Sequence, residues 1–496
     1  LTELLLPGNL LNTDSIIRDM VNTIPEDDWK EVEIIGWLYQ FFMSDKKDAL
    51  MKSKKAYESE DIPAVTQLFT PNWIVKYLVQ NSLGAKWLQT YPASSIKGKM
   101  QYYIEPAEQS EEVKEQLKEI TPSTLNPEEL TVMDPACGSG HILVEAYDLL
   151  KEIYLERGYR PKDLPSLILT KNLYGLEIDD RAAQLAGFAL MMKARKDDRS
   201  IFQKNIKPNI LVIKSADVKS TKETEELVAV FKEAETLGSL IRIPDNIMKK
   251  LPAIEKYIEE KQKSGSIFEQ YNDIAMLLKQ AYFLSKRYDC VIANPPYMGG
   301  KKYFNPTLKI FASLQYPDTK ADLFSMFIER GFDMAKDKIG YNAMVTMQSW
   351  MFLSSFERCR ESWIQHKTIT TMVHLGPRAF STISGEVVTV TAFTFLNQNV
   401  ENYKPCFLRL IDGNEEEKRL GIINKSNAFT HALQDDFKKI PGSPIAYWVS
   451  ERMKEAFVKF PFLQNIAEAR QGLATSDNDL FLRAWVEVSF SKIGFH

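Results

Sequence analysis

From Leu130 onward the chain alternates short apolar runs with longer stretches of helical periodicity. Leu130-Thr131-Val132-Met133 reads as a strand and leads through a glycine-rich turn into a helix from Ile142 to Leu150. Leu173-Tyr174-Gly175-Leu176 leads into an alanine-rich helix from Arg181 to about Arg195, and Ile210-Leu211-Val212-Ile213 is followed by Ser215-Ala216-Asp217. Tyr288 to Ala293 is a fourth run. A helix from Leu323 to Met334 precedes a fifth at Gly340 to Met347, and Glu386 to Leu396, alternating Val, Thr and Phe, closes the set. Strands separated by helical patterns predict an α/β fold with a doubly wound, parallel sheet.

The flanks read differently. Residues 1–60 form an N-terminal helical region, with an apolar run from Ile34 to Phe42 and a charged one from Lys46 to Lys55. Thr70 as N-cap and Pro71 at the first helical position start a helix over Trp73 to Val79. Between Asp217 and Asp289 lies a helical insertion rich in Glu, Lys and Leu, about residues 219–285. A charge-rich helical face is ordinarily solvated surface; a lid or a DNA-backbone contact is the alternative. Residues 61–400 then form the main domain around that insertion, 401–465 a β-rich extension or linker, and 466–496 the start of a further domain.

Composition narrows the class without choosing a function. A length of 496 residues allows two to four domains, and 44% hydrophobic with 26% charged residues is ordinary for a globular chain. No apolar run of ~18 residues is present, and Leu1-Thr2-Glu3 lacks the basic start of a signal peptide, so no membrane partner and a cytoplasmic location are expected. The start without Met and the end at Gly494-Phe495-His496 read as a piece of something longer. Cys137, Cys290, Cys359 and Cys406 lie far apart, which argues against a metal site or a disulfide framework. A net charge of −4 neither advertises nor excludes nucleic acid, because phosphate contacts need only a local basic groove.

Chemistry concentrates at the strand ends. Asp134-Pro135-Ala136-Cys137-Gly138-Ser139-Gly140 follows the first strand and opens a helix. Gly138 and Gly140 tolerate positive φ and let a ligand approach the backbone, while the helix start offers N–H groups. The turn is not a P-loop, since no Gly-Lys-Ser/Thr follows, and it departs from G-x-G-x-x-G. Asp134 and the pair Glu177/Asp179 place carboxylates where ribose hydroxyls lie in this fold. Their separation exceeds the usual ~20 residues, which an extra helix from Glu152 to Leu169 would explain. Asp217 could accept from an adenine amine; each carboxylate alone also fits an N-cap or a surface acid.

Asn294-Pro295-Pro296-Tyr297 lies directly behind the fourth strand, at the sheet edge where open α/β sheets place their chemistry. Two prolines make the turn rigid and leave its carbonyls free to accept, and Asn294 adds a side-chain oxygen. Two fixed acceptors and an aromatic face at Tyr297 suit a planar group bearing an NH2, such as adenine N6. The plainer reading is a strand-capping Pro-Pro turn with Tyr297 in the core. Cys137 and Cys290 read as packing residues.

The segment from Asp134 to Gly140, with Asn294 to Tyr297 downstream, resembles the motif pair of S-adenosylmethionine-dependent DNA adenine-N6 methyltransferases. The order, with Thr66 to Pro71 ahead of the glycine loop, resembles their gamma arrangement across roughly residues 60–400. More narrowly, Ile35 to Phe42, His374 to Phe380 and Gln471 to Asn478 resemble the adenine methyltransferase of BREX phage-defence systems. The resemblance implies a doubly wound, mostly parallel seven-stranded Rossmann-like methyltransferase sheet and S-adenosyl-L-methionine as cofactor. It further implies duplex DNA as substrate, other phage-defence proteins as candidate partners, and a target-recognition domain beginning at 466.

By that resemblance Thr70 and the loop carrying Asp134, Ala136, Gly138 and Gly140 hold the methionine part of the cofactor. Glu177 takes the ribose hydroxyls, and Asp217 with Ile178 the adenine ring. Asp322 and Phe324 match an Asp-Leu-Phe segment beside the cofactor, and Phe380 aligns with an aromatic that meets the flipped base from its other side. The catalytic set is then Asn294, Pro295, Tyr297 and Phe380, acting by positioning and electrostatics with no protein nucleophile. One alternative is the methyltransferase part of a combined restriction-modification enzyme, although Asp27, Asp28, Glu31 and Glu33 lack the following Glu-x-Lys of a nuclease. Others are methylation of RNA or of a protein glutamine, and a non-catalytic DNA-binding or assembly subunit that keeps the fold.

Overall fold

In the computed structural model the described residues are 9–10, 12–26, 33–53, 55–218, 220–263, 268–380, 388–462, 465–467, 487 and 489. Asp27, Asp28, Glu31, the Gln471 to Asn478 block and nearly all of the expected further domain lie outside them. One sheet organises the rest, in the order β3-β2-β1-β4-β5-β7-β6-β8-β9. Its strands are β1 (Val132–Asp134), β2 (Leu173–Glu177), β3 (Asn209–Val212), β4 (Cys290–Ala293), β5 (Tyr341–Met347), β6 (Thr368–Gly376), β7 (Val390–Leu396), β8 (Cys406–Arg409) and β9 (Ala428–Phe429). β1 to β5 run parallel, whereas β7 lies antiparallel between β5 and β6. β8 joins β6 in parallel and β9 closes the edge antiparallel.

The sheet is thus mixed and has nine strands where the resemblance implies seven. The two additional strands come from the 401–465 stretch, which also holds the helices Glu415–Ile423 and Glu451–Lys459. Four residues at β8 and two at β9 are too short for a period of two to stand out; pairing with the open edge of β6 creates them.

Eight helices position the site: α1 (Glu33–Ser53), α2 (Asn72–Val79), α3 (His141–Glu156), α4 (Asp180–Asp197), α5 (Leu251–Lys263), α6 (Phe268–Ser285), α7 (Pro306–Gln315) and α8 (Leu323–Met334). Strand alternation sorts the core into two layers. Val132, Cys290, Ile292, Ala343 and Val345 face a layer shared with α2, α3 and α4. Met133, Val291, Ala293 and Met344 face the one shared with α5, α6 and α8.

Two expectations need correction. The helix expected from Glu152 to Leu169 is interrupted: α3 ends at Glu156, Gly158 turns at φ +79°, and a new short helix begins at Leu164. The insertion is more than solvated surface, since Leu227, Phe231, Leu240, Ile254, Ile258 and Leu277 are buried in the α8 layer. Its Glu/Lys content hides an apolar stripe at helical spacing. Among the described residues no helix is long and apolar enough to cross a membrane, no His/Cys/Asp/Glu cluster could hold a metal, and the four cysteines are buried free thiols.

Candidate active site

β1 delivers Asp134 to the carboxyl edge of the sheet, and Gly138 (φ +51°) and Gly140 (φ +85°) turn the chain into α3. A Cβ on Gly140 would lie 2.9 Å from the Ala186 Cβ of α4, so only glycine lets this loop settle onto the helix. The buried Asp134 carboxylate accepts from the Ala136 N–H at 3.1 Å. Glu177, at the end of β2, accepts from the N–H groups of Gly138 (2.8 Å), Ile178 (2.9 Å) and Asp179 (3.1 Å). Burial raises the Asp134 pKa to about 8, with the nearby Glu177 charge adding to it and the Ala136 bond opposing. Burial also raises Glu177 against its three backbone bonds.

β4 delivers Asn294. Its Nδ2 donates to Thr70 Oγ1 at 2.9 Å and to the Leu68 carbonyl at 3.3 Å, which turns its Oδ1 the other way. The Tyr297 hydroxyl lies 2.8 Å from that Oδ1 and 3.0 Å from the Val345 carbonyl, and its one hydrogen can serve either. Behind Tyr297, Asp322 Oδ1 accepts from Met298 N at 2.9 Å and Phe324 N at 3.3 Å, tying the Pro-Pro turn to the start of α8. Burial raises the Asp322 pKa to about 6. Phe324 packs edge-on against Tyr297 at 6.1 Å between ring centres.

These ends open into one cleft, lined by Thr70, Asp134, Ala136, Gly138, Glu177, Ile178 and Asn294 among others. Gly140, Pro295, Tyr297, Asp322 and Phe324 stand outside its lining; Gly140, Tyr297, Asp322 and Phe324 support the residues that line it. Two expected site residues are elsewhere. Asp217 is exposed on the loop after β3, and Phe380 is only 4% exposed within an apolar layer. Thr70 is not the N-cap of α2, which is Pro71 at ψ 136°; its hydroxyl instead receives the Asn294 amide.

Sequence reasoning missed two parts of the cleft. Thr236 to Leu240 of the insertion line it opposite Ile178. Phe69 lines it too, held between Trp37 of α1 (4.6 Å) and His141 of α3 (4.6 Å, near-parallel), with its N–H donated to Gln40 Oε1 at 2.7 Å. The available signal was Gly36 inside the apolar run of α1: a Cβ there would strike the Phe69 ring and lie 2.9 Å from Ser139 Oγ.

A family model described as Eco57I restriction-modification methylase matches residues 171–380, and one described as N-6 DNA Methylase matches residues 86–218. The adenine-specific methyltransferase BrxX of Escherichia coli O9:H4 (strain HS) is 50% identical, with 99% of this chain and 43% of that protein aligned. The adenine-specific methyltransferase PglX of Lacticaseibacillus casei (strain Zhang) is 39% identical, over 97% of this chain and 43% of its own length. The chain thus spans 43% of the length of these curated relatives. Among solved structures, a DrdV–DNA complex superposes with a TM-score of 0.46 at 13% identity, over 82% of this chain and 32% of that one.

Proposed function

We propose that this chain, similar to the adenine-specific methyltransferases BrxX and PglX, methylates N6 of an adenine flipped out of duplex DNA, as a self-marking step in a BREX-like phage-defence system. The observation that carries the reading is the opening of Asn294 and the glycine loop into a single cleft.

S-adenosyl-L-methionine fits the donor set. Asp134 is buried and Glu177 half-buried, and burial pushes both carboxyls toward the protonated form. They suit a ligand that brings an ammonium, a sulfonium and a ribose diol. When bound, that ligand supplies an electrophilic methyl group on sulfur. Thr70 and the loop from Asp134 to Gly140 hold its amino-acid part, and Glu177 its ribose.

The chain's own work is to orient the amine. Asn294 Oδ1 and the Pro295 carbonyl accept its two hydrogens, favouring a pyramidal nitrogen whose lone pair is released from the ring. Tyr297 can turn its hydrogen to Val345 and leave Asn294 Oδ1 to the substrate. Asp322 and Phe324 fix the turn that carries these acceptors. Phe380 is buried in the core away from the cleft and takes no part in this reading. Leaving the stack costs a few kcal/mol, offset in part by contact with Tyr297.

A local basic stretch supports DNA as the substrate despite the net charge of −4. Immediately behind the turn, residues 299–320 carry four exposed lysines, Lys301, Lys302, Lys309 and Lys320, and one acid, Asp318, which pairs with Arg358 at 3.8 Å. Phosphates flanking a flipped base would meet them. The test is transfer of labelled methyl groups to duplex DNA by the wild-type protein and by Asn294→Ala. Equal N6-methyladenine from both removes the proposal.

A further inference from the structure

The loop after β3 does not reach the cleft; it is tied down by the insertion. Glu235 Oε1 accepts from Ser215 N at 3.0 Å and from Ser215 Oγ at 2.7 Å, while Asp217 stands exposed two residues on. Immediately beyond Glu235, residues Thr236 to Leu240 line the cleft. Gly238 adopts φ +53°, ψ −139°, a conformation that side chains strongly disfavour, and a Cβ there would lie 2.8 Å from Ile178 Cγ2.

The segment is fixed from beneath. Buried Arg330 of α8 donates through Nε to the Ser239 carbonyl (2.9 Å) and through Nη2 to the carbonyls of Ile241 (2.9 Å) and Leu284 (2.8 Å). Ser239 Oγ donates to the Pro135 carbonyl at 2.5 Å, joining the segment to the glycine loop. A buried guanidinium bonded to three carbonyls makes a rigid support.

Strand order decides which part of a ligand meets this wall. With the order β3-β2-β1-β4, Asn294 stands over β4, the glycine loop over β1 and Glu177 over β2. A nucleoside whose ribose meets Glu177 therefore places its base beyond β2, on the β3 side. Ile178, Leu237, Gly238 and Leu240 line the cleft there, with Gly238 packed directly against Ile178. We propose that the insertion segment Thr236 to Leu240, and not Asp217, forms the purine-binding wall of the cofactor site, with Gly238 lacking a side chain so that the segment can close against Ile178 beside the ring. This rests on the methyltransferase reading above.

Calorimetry with S-adenosylmethionine on the whole chain tests it. Asp217→Ala should bind within twofold of wild type and Gly238→Val at least tenfold more weakly. Tenfold loss in Asp217→Ala with wild-type affinity in Gly238→Val overturns the assignment and leaves the methyltransferase reading standing. No binding by the unaltered chain overturns both. Because Gly238→Val strains the backbone, a second measurement uses unaltered protein photolabelled with 8-azidoadenosyl-methionine and digested with trypsin. Label is expected in the peptide from Glu233 to Arg242; label in the peptide from Ser215 to Lys219 overturns the proposal.

Discussion

Binding of S-adenosylmethionine should expel a proton from Asp134. In the free protein burial lifts this carboxyl to about 8 from an ordinary value near 3.8, so at pH 7 it is roughly nine-tenths protonated. The sign follows from the folded value lying above the unfolded one. The neutral acid favours the fold fully below about pH 4, and that contribution fades as pH rises toward about 8. A ligand cation within ~4–6 Å reverses the preference. If the complex holds the group below about 5, some three pKa units are recovered, on the order of 4 kcal/mol, and ~0.9 proton leaves at pH 7. Affinity should then rise close to tenfold per pH unit up to about pH 8 and flatten above. The assay is titration calorimetry at pH 7 in buffers of different ionisation enthalpy, with Asp134→Asn run in parallel to cancel the ligand's own ammonium titration. A wild-type slope of zero, or the same slope in Asp134→Asn, refutes the reasoning.

Four further outcomes are expected. Asn294→Ala should lower methyl transfer by about 10²-fold or more while cofactor affinity stays within twofold, because the side chain acts on the amine; wild-type rates would remove its role. Gly140→Ala should destabilise the fold by roughly 1–3 kcal/mol in denaturant, since it combines a φ of +85° with a Cβ 2.9 Å from Ala186; no change in midpoint contradicts this. Arg330→Met should cost about 3 kcal/mol or more by leaving three carbonyls without their donor, visible as a lowered thermal midpoint. Replacing Lys301 and Lys302 by alanine should reduce the salt slope of DNA binding by ~1.8, about 0.9 per phosphate contact; an unchanged slope places the DNA elsewhere.

The strand ends were legible because their chemistry is local. Asn294 to Tyr297 and Asp134 to Gly140 each join a strand pattern to a turn that only Pro or Gly satisfies, and the structure brings both to one cleft. The third carboxylate was not legible. Nothing around Asp217 reports that Glu235, some twenty residues on, ties down the loop and leaves Asp217 exposed. Thr236 to Leu240 were hidden in the same way, since a Glu/Lys-rich insertion reads as solvated surface until Arg330, remote in sequence, is seen holding its carbonyls. The resemblance marked Ile35 to Phe42 without giving it a task; the contact of Gly36 with Phe69 and Ser139 supplies one.

Nucleoside mass spectrometry is the most direct test of the central claim. Duplex DNA is incubated with isotopically labelled S-adenosylmethionine and the protein at its natural length, either wild type or Asn294→Ala. The account expects labelled N6-methyldeoxyadenosine from the wild type and none from the variant. Label on cytosine, no label from a preparation that binds the cofactor, or equal label from Asn294→Ala would contradict it.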